Sequence, residues 1–228
     1  MADGLGLART LVAEAIGTFA LVFAGCGAIM VDAKTHQLGH IGVAITFGLV
    51  IMFGIYAVGH ISGAHFNPGV TFAFALSRHF PWSRATAYWA AQLVGALTAA
   101  ALLRASLGNV ADVGATQPSG SQGQAFLWEL VLTFFLMFVI MAVATDTRAV
   151  GEAAAIAIGG TVGLDAMFGG PISGASMNPA RSIGPAFVSG NLHALWLYIA
   201  APILGASLAA LASQFVRGEQ SRPAADTA

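Results

Sequence analysis

The stretch ISGAHFNPG, Ile61 to Gly69, nearly recurs as ISGASMNPA, Ile172 to Ala180, 111 residues later. Each copy places a glycine, Gly63 or Gly174, four residues ahead of an Asn-Pro pair. Proline disfavours the helical conformation for the residue before it, and it suits the first position of a helix, where no amide hydrogen is missed. Each copy therefore predicts an extended segment followed by a helix that starts at the Asn.

The composition indicates the solvent in which these two segments fold. Of 228 residues 57% are apolar and only 8% are charged, against roughly 25% charged residues in a soluble domain. The net charge of −1, without a Lys/Arg-rich run, argues against a nucleic-acid partner. A single cysteine, Cys26, excludes a disulfide framework and a cysteine-based zinc site, and we expect no metal and no cofactor. The chain is predicted to be an integral membrane protein whose first partner is the lipid bilayer.

A cleaved signal is the alternative interpretation of the first apolar run. Arg9 and the apolar residues up to Cys26 loosely resemble a bacterial lipoprotein signal. Glu14 lies inside the supposed hydrophobic region, and cleavage would delete a segment that the internal repeat requires. We therefore expect a retained first transmembrane helix, with Cys26 as a small packing residue.

Six apolar stretches have about the 20 residues that a helix needs to cross the hydrocarbon layer. They cover about 10–31, 41–58, 83–104, 125–145, 152–169 and 193–216. Two shorter segments, Asn67 to Ser77 and Asn178 to Val188, reach only roughly halfway across at about 1.5 Å per residue. The predicted fold is an all-α integral membrane protein with six transmembrane helices and two re-entrant half-helices.

The two halves of the chain match beyond the opening stretches. The pattern Glu-x-x-x-Thr-Phe begins at Glu14 and again at Glu129, and Tyr-x-Ala-Ala begins at Tyr88 and again at Tyr198. Because each half contains three spans, an odd number, the second half enters the bilayer upside down, as an inverted repeat. Within one domain, 1–228, the predicted division is a first repeat 1–104, a linker loop 105–123, a second repeat 124–216 and a disordered cytoplasmic tail 217–228.

The distribution of positive charge predicts the orientation. With both termini cytoplasmic, the inner side holds more Lys and Arg than the outer side, as the positive-inside rule requires. The inner residues are Arg9, Arg78, Arg84, Arg148, Arg217 and Arg222, and the outer residues are Lys34 and Arg104. We expect the chain in the cell membrane with cytoplasmic termini. The remaining positive residue, Arg181, lies in the second half-segment. A charge is costly there, so Arg181 is a candidate functional residue.

Inverting one copy points the two half-helix N-termini at each other near the bilayer midplane. Each N-terminus contributes roughly half a positive charge, and each Asn offers an amide donor. This arrangement disfavours cations and accommodates the oxygen of water or an alcohol. The predicted midplane filter consists of Asn67, Pro68, Gly69, Asn178, Pro179 and Ala180. Carbonyls of the extended stretches His60–Phe66 and Ile172–Met177 would lead to it, with pore-lining backbone expected at His60, Gly63, Ala64, His65, Gly174 and Ser176.

These residues resemble the aquaporin, or major intrinsic protein, family over essentially the whole chain. HFNPGVT and SMNPARS are similar to the two half-helix starts of that family, and YAVGHISGAHFNP, RHFPW, ATDTRAVGE and GPISGASMNPARS are most similar to nodulin-like intrinsic proteins and their bacterial relatives. The resemblance implies a homotetramer with a pore in each protomer. It also implies passive passage of water and small neutral solutes, glycerol-type or neutral metalloid hydroxides such as arsenite.

The resemblance further implies an outer selectivity filter. By spacing from the two Asn residues its positions map onto Phe47, Ala166, Ala175 and Arg181. Arg181 would donate to the solute and oppose protons and cations. Strictly water-selective relatives usually have a His where Ala166 stands, so this filter is expected to be wider. Glycerol, urea, arsenite, boric acid and silicic acid all remain open as solutes.

The first midplane triplet departs from the family pattern. Gly69 replaces the usual alanine, at a cost of up to ~1 kcal/mol in helix propensity. We expect this change to remove one methyl group from the contact between the half-helices and to leave the midplane constriction of the pore slightly wider. Asp165, beside Ala166, has no role that the sequence assigns.

Two carboxylates in the spans, Glu14 and Glu129, allow two interpretations. A charge at the bilayer centre costs at least ~2.5 kcal/mol, so each must accept hydrogen bonds or reach water. They could couple protons in a secondary transporter, the alternative function that inverted repeats and broken helices also fit. They could instead support the two re-entrant loops, which their symmetric placement favours.

Hydrolase chemistry is the remaining class that the polar residues raise. His60 and His65 flank Ser62, but the second copy has Pro171 and Ser176 at the two histidine positions. No carboxylate lies nearby in sequence to orient a base, so we do not expect an enzyme.

Overall fold

The computed structural model describes residues 2–145 and 153–217, and within these ranges the regular structure is helical, without strands. Six long helices each contain an apolar window long enough to cross a membrane. They are α1 (Ala2–Thr35), α2 (Gly39–Ser62), α4 (Trp82–Leu107), α6 (Gln122–Thr145), α7 (Ala154–Ser173) and α9 (Leu197–Arg217). Two half-helices, α3 (Pro68–Leu76) and α8 (Pro179–Ser189), and one turn, α5 (Ala111–Gly114), complete the order. The predicted fold class is confirmed.

Some sequence expectations lie outside the described residues. Most of the ATDTRAVGE stretch, including Arg148, falls in the gap between α6 and α7. The expected tail after Arg217, with Arg222, also falls outside.

The two half-helices begin where the Asn-Pro pairs predict. Asn67 and Asn178 are both extended, with φ of −152° and −151°, and each is followed by Pro at the first helical position. The Asn67 Oδ1 accepts from the Gly69 amide at 2.8 Å, and the Asn178 Oδ1 accepts from the Ala180 amide at 3.0 Å. Each Asn is therefore the N-cap of its half-helix, which satisfies an amide that would otherwise lack a partner.

The extended stretches before the half-helices are shorter than predicted. α2 continues through His60 to Ser62, and α7 continues to Ser173, so the non-helical backbone begins at Gly63 and Gly174, and it includes left-handed residues such as Ala64 and Ala175 where an extended stretch was predicted. These glycines have φ of +86° and +87°, and each donates its amide back to the carbonyl four residues earlier at 2.9 Å. The left-handed C-cap that glycine permits therefore fixes the helix end, and His60 is helical instead of extended.

Close glycine crossings hold the long helices together in a repeated pattern. A Cβ at Gly95 would lie 2.2 Å from a carbonyl oxygen of α1, and a Cβ at Gly205 would lie 2.2 Å from a carbonyl oxygen of α6. Gly48 and Gly159 face each other where α2 crosses α7, and a Cβ on either would lie within 2.7 Å of the other's carbonyl oxygen. Small residues let membrane helices approach this closely. Matching crossings in both halves are what an inverted repeat predicts.

Candidate functional site

The two Asn side chains tie the re-entrant segments to each other. Asn67 Nδ2 donates to the Met177 carbonyl at 2.8 Å, and Asn178 Nδ2 donates to the Phe66 carbonyl at 2.8 Å. Both side chains are buried, and both line the same cavity. A side-chain amide carries two hydrogens, so each Asn has one N–H left to offer beside the facing helix N-termini. The midplane is thus a site with convergent donors and positive helix ends.

A cavity of about 300 Å³ passes this midplane site and is lined by residues of both repeats. The predicted site residues that line it are Phe47, Gly63, Ala64, His65, Asn67, Ala166, Ala175, Ser176, Asn178 and Arg181. The cavity therefore connects the midplane pair with the four residues expected at the outer filter.

Other predicted site residues do not line the cavity. His60, Pro68, Gly69, Gly174, Pro179 and Ala180 are not among its lining residues. The prolines and Gly174 shape the backbone, and Ala180 is fully buried.

The position of Gly69 corrects the expectation that the missing methyl group widens the midplane constriction. A Cβ on Gly69 would lie 3.3 Å from Asn67 Oδ1 and 3.5 Å from the carbonyl oxygen of Pro202 in α9. The missing methyl thus faces the supporting helix, not the opposite half-helix. It does not set the width of the pore.

Much of the cavity wall is apolar and was not found by sequence reasoning. These lining residues are Leu21, Ile51, Ile55, Val70, Phe74, Leu136, Ile140, Ile158 and Val162. Along α7 the lining positions 154, 158, 162 and 166 recur every four residues, which is the spacing of one helix face. In a helix that is apolar on all sides, the sequence does not distinguish the face that lines the pore from the face that contacts lipid. Only the packing of neighbouring helices shows which face lines the pore.

The cavity also brings together the four residues predicted for the outer filter. Arg181 is 2% exposed, and its Nη1 donates to the Gly114 carbonyl at 2.9 Å. Its Cζ lies 5.0 Å from the centre of the Phe47 ring, a cation–π distance. Ala166 and Ala175 supply small apolar walls. The arrangement has one cationic donor side, one aromatic side and two alanines, and Gly114 is a linker contact that the sequence did not predict.

Glu14 is fully buried and accepts four hydrogen bonds. Its Oε1 accepts from Ser62 Oγ at 2.7 Å and from the His65 amide at 2.9 Å. Its Oε2 accepts from the Phe66 amide at 2.8 Å and from Gln92 Nε2 at 2.7 Å. Three of these donors belong to the end of α2 and the first re-entrant segment, so the carboxylate connects α1 to that segment.

Glu129 repeats this arrangement in the second half with three donors. Its Oε1 accepts from Ser173 Oγ at 2.7 Å and from the Ser176 amide at 2.8 Å, and its Oε2 accepts from the Met177 amide at 2.7 Å. The position that matches Gln92 is Pro202, which has no donor. Neither carboxylate lines the cavity.

The repeated tyrosines have a matching role that the sequence did not reveal. Tyr88 Oη donates to the Ser62 carbonyl at 2.9 Å, and Tyr198 Oη donates to the Ser173 carbonyl at 2.6 Å. Each tyrosine thereby satisfies a carbonyl at the C-terminal end of α2 or α7, next to the carboxylate of its own repeat.

The residues that suggested a hydrolase do not form a catalytic arrangement. Ser62 donates to Glu14, whereas the His65 ring contacts Thr71 Oγ1 through Nδ1 at 3.0 Å. The base that Ser62 meets is the Glu14 carboxylate, which already accepts three further hydrogen bonds, and neither residue lines the cavity, so the pair does not resemble an activated nucleophile open to a substrate. Asp165 is 1% exposed, lies outside the cavity lining, and its Oδ2 has no partner within the described ranges.

Comparisons with known proteins agree with this geometry. The family described as major intrinsic protein matches residues 2–213. Aquaporin NIP1-1 of Oryza sativa subsp. japonica is 50% identical over 223 residues, covering 94% of this chain and 78% of the relative. Nodulin-26 of Glycine max is 51% identical over 211 residues, covering 92% and 78%. Among solved structures, the aquaglyceroporin from Plasmodium falciparum superposes with a TM-score of 0.76 at 27% identity, covering 90% of this chain and 94% of that one.

Proposed function

Since this chain belongs to the major intrinsic protein family, we propose a solute range for its filter. The protein is a passive membrane channel for water and small neutral solutes. The proposed range also includes glycerol and neutral metalloid hydroxides such as arsenous acid. The observation that carries this proposal is the pair of alanines, Ala166 and Ala175, beside Phe47 in the cavity wall. A ring at either alanine would narrow the opening. Two methyl groups leave room for a solute that is larger than water and apolar along one edge.

The polar groups of the cavity fit a solute with hydroxyl groups. Arg181 donates from the side of the filter, and Asn67 and Asn178 each have an amide hydrogen to offer at the midplane. A neutral polyol or a metalloid hydroxide can exchange its hydration for these donors as it passes.

The same groups oppose ions and protons. Each half-helix N-terminus contributes roughly half a positive charge at the midplane, and Arg181 adds a full charge at the outer filter. A cation therefore meets positive potential at two successive places. We propose that Asn67, Asn178 and Arg181 together exclude charge from the pore.

A gradient-coupled transporter is not favoured by the geometry. Glu14 and Glu129 are the carboxylates that would have to exchange protons, but they lie off the cavity and hold the re-entrant segments through short hydrogen bonds. We propose that they support these segments. A proton carrier would need access to the solution on either side.

The orientation and assembly are proposed on separate grounds. Successive crossings place Arg9, Arg78 and Arg84 at one end of the helices, and Lys34 and Arg104 at the other. By the positive-inside rule the arginine-rich end, with both termini, faces the cytoplasm of the cell membrane. The homotetramer is proposed from the family resemblance.

Uptake of three solutes in parallel tests the proposed solute range. Purified protein in phospholipid vesicles is mixed by stopped flow with gradients of an impermeant osmolyte, glycerol or arsenous acid, and empty vesicles serve as the control. We expect all three rates, for water, glycerol and arsenous acid, to exceed those of empty vesicles. Acceleration of water alone would show that the filter is narrower than the two alanines indicate.

A further inference from the structure

The linker between the repeats contains a left-handed turn. The four residues of α5 have positive φ: Ala111 at 46°, Asp112 at 49°, Val113 at 56° and Gly114 at 72°. In this region Cβ crowds the following carbonyl of any residue other than glycine. Such backbone persists where its surroundings hold it, and it concentrates at functional sites.

Contacts on both sides hold this turn in place. Val113 is fully buried in an apolar cluster with Cys26 of α1 and Leu103 of α4. On the other side, Asn191, just beyond α8, donates from Nδ2 to Asp112 Oδ2 at 2.8 Å. The turn is therefore fixed to both repeats.

The turn ends at Gly114, whose carbonyl accepts the bond from Arg181 Nη1. A Cβ at Gly114 would lie 2.7 Å from Cys26 Cβ and 2.9 Å from the Cys26 carbonyl oxygen. Only glycine fits here, both because φ is positive and because α1 leaves no space. A displacement of Gly114 away from Cys26 would move the carbonyl that holds the guanidinium.

A second set of bonds connects the linker to the half-helix. Thr116 Oγ1 lies 2.7 Å from Ser182 Oγ, which lies 2.6 Å from Ser176 Oγ. Ser176 Oγ donates in turn to the Asn178 carbonyl at 2.9 Å. The start of α8 and the filter arginine are thus held by the same short piece of linker.

We propose that Gly114, seated against Cys26, is a positioning residue that fixes the Arg181 guanidinium and so sets the selectivity of the outer filter. This inference rests on the proposed role of Arg181 in the filter. Arg181 Nε is buried and has no protein partner within the described residues, so the bond from Nη1 to the Gly114 carbonyl is what holds the guanidinium in place.

A matched pair of glycine variants tests the proposal. Gly114→Ala meets both a positive φ and the clash with Cys26, whereas Gly108→Ala meets a similar φ of +82° with open space around its Cβ. The readout is the ratio of glycerol to water permeability in proteoliposomes, with thermal unfolding recorded separately. We expect Gly114→Ala to change the ratio at least about threefold. One net hydrogen bond changes the relative populations of the held and released positions of the guanidinium by about this factor. Gly108→Ala should leave the ratio unchanged.

Combination with Arg181→Gln separates positioning from a general effect on the pore mouth. In that background Gly114→Ala should change the permeability ratio no further. An unchanged ratio for Gly114→Ala in the wild-type background, or an equal shift in both backgrounds, would overturn the inference. If Arg181→Gln alone alters neither the ratio nor the ion leak, the proposed filter itself fails, which is a distinguishable result.

A second variant keeps the test open if Gly114→Ala does not fold. Asn191→Asp replaces the donor to Asp112 with an oxygen and leaves Gly114 and Arg181 intact. We expect a shift of the permeability ratio in the same direction as for Gly114→Ala, and its loss in the Arg181→Gln background. A folded Asn191→Asp protein with the wild-type ratio would contradict the proposal.

Discussion

Replacing Arg181 by Gln should open the channel to protons and small cations more than it changes the passage of glycerol. The substitution removes a buried positive charge and, because the Gln side chain ends two atoms short of the Nη1 position, it also removes the bond to the Gly114 carbonyl. The two half-helix N-termini stay in place, so part of the positive potential at the midplane persists. The expected phenotype is a partial leak.

The size of the leak follows from the filter geometry. The Arg181 Cζ lies 5.0 Å from the centre of the Phe47 ring that bounds the same passage. At about 5 Å and an effective dielectric constant of about 20, two unit charges repel by about 3 kcal/mol. Removing that barrier corresponds to about two orders of magnitude in the rate of cation entry. A neutral solute loses one hydrogen bond, so its rate should change by less than about tenfold.

Proteoliposomes with an internal pH-sensitive dye measure this leak directly. A potassium gradient and valinomycin set an inside-negative potential, and the initial rate of acidification reports proton entry. Arg104→Gln is the matched control, because Arg104 lies at the end of α4, outside the cavity, and donates to the Val188 carbonyl. If Arg181→Gln vesicles stay as proton-tight as wild type, or if Arg104→Gln leaks equally, the charge barrier is not at the filter.

Three further predictions follow from the site. Ala166→His should reduce glycerol permeability more than water permeability, measured by stopped-flow light scattering, because the ring narrows the filter; equal loss would show that the filter is mapped wrongly. Gly69→Ala should fold and conduct, with its unfolding temperature unchanged or raised. Alanine favours a helix by up to ~1 kcal/mol over glycine, and its methyl would lie 3.3 Å from the nearest neighbouring atom. Failure to fold would mean that the glycine is required. Glu14→Gln and Glu129→Gln should each lower the free energy of unfolding by about 1–3 kcal/mol, because one carboxylate oxygen that accepts buried hydrogen bonds becomes an NH2 group, which cannot accept them. Variants that fold stably but lose a proton-dependent flux would instead support a transporter.

The residues that the sequence predicted best are those whose effect is local or repeated. Asn-Pro specifies a helix start through the neighbouring backbone alone, which explains why Asn67 and Asn178 are N-caps as predicted. The matching positions of Glu14 and Glu129 in the two halves predicted a common environment. The structure places equivalent serine and backbone donors around both carboxylates.

What the sequence did not predict depends on contacts between distant segments. The linker has no helical periodicity, and nothing in it marks Gly114 as the acceptor of Arg181, 67 residues away. His60 was expected in extended backbone, but the helix continues until a left-handed glycine ends it at Gly63. The direction of the missing methyl at Gly69 depends on α9, which belongs to the other repeat.

The most direct measurement of the central claim, that the two facing half-helices form one passive pore, is glycerol flux through proteoliposomes in both directions. Stopped-flow light scattering follows uptake and release under equal and opposite glycerol gradients, with and without ionophores that collapse proton and sodium gradients. A passive pore predicts flux well above that of empty vesicles, proportional to the glycerol gradient and unchanged by the ionophores. Flux no faster than in empty vesicles, or flux that the ionophores abolish, would contradict it.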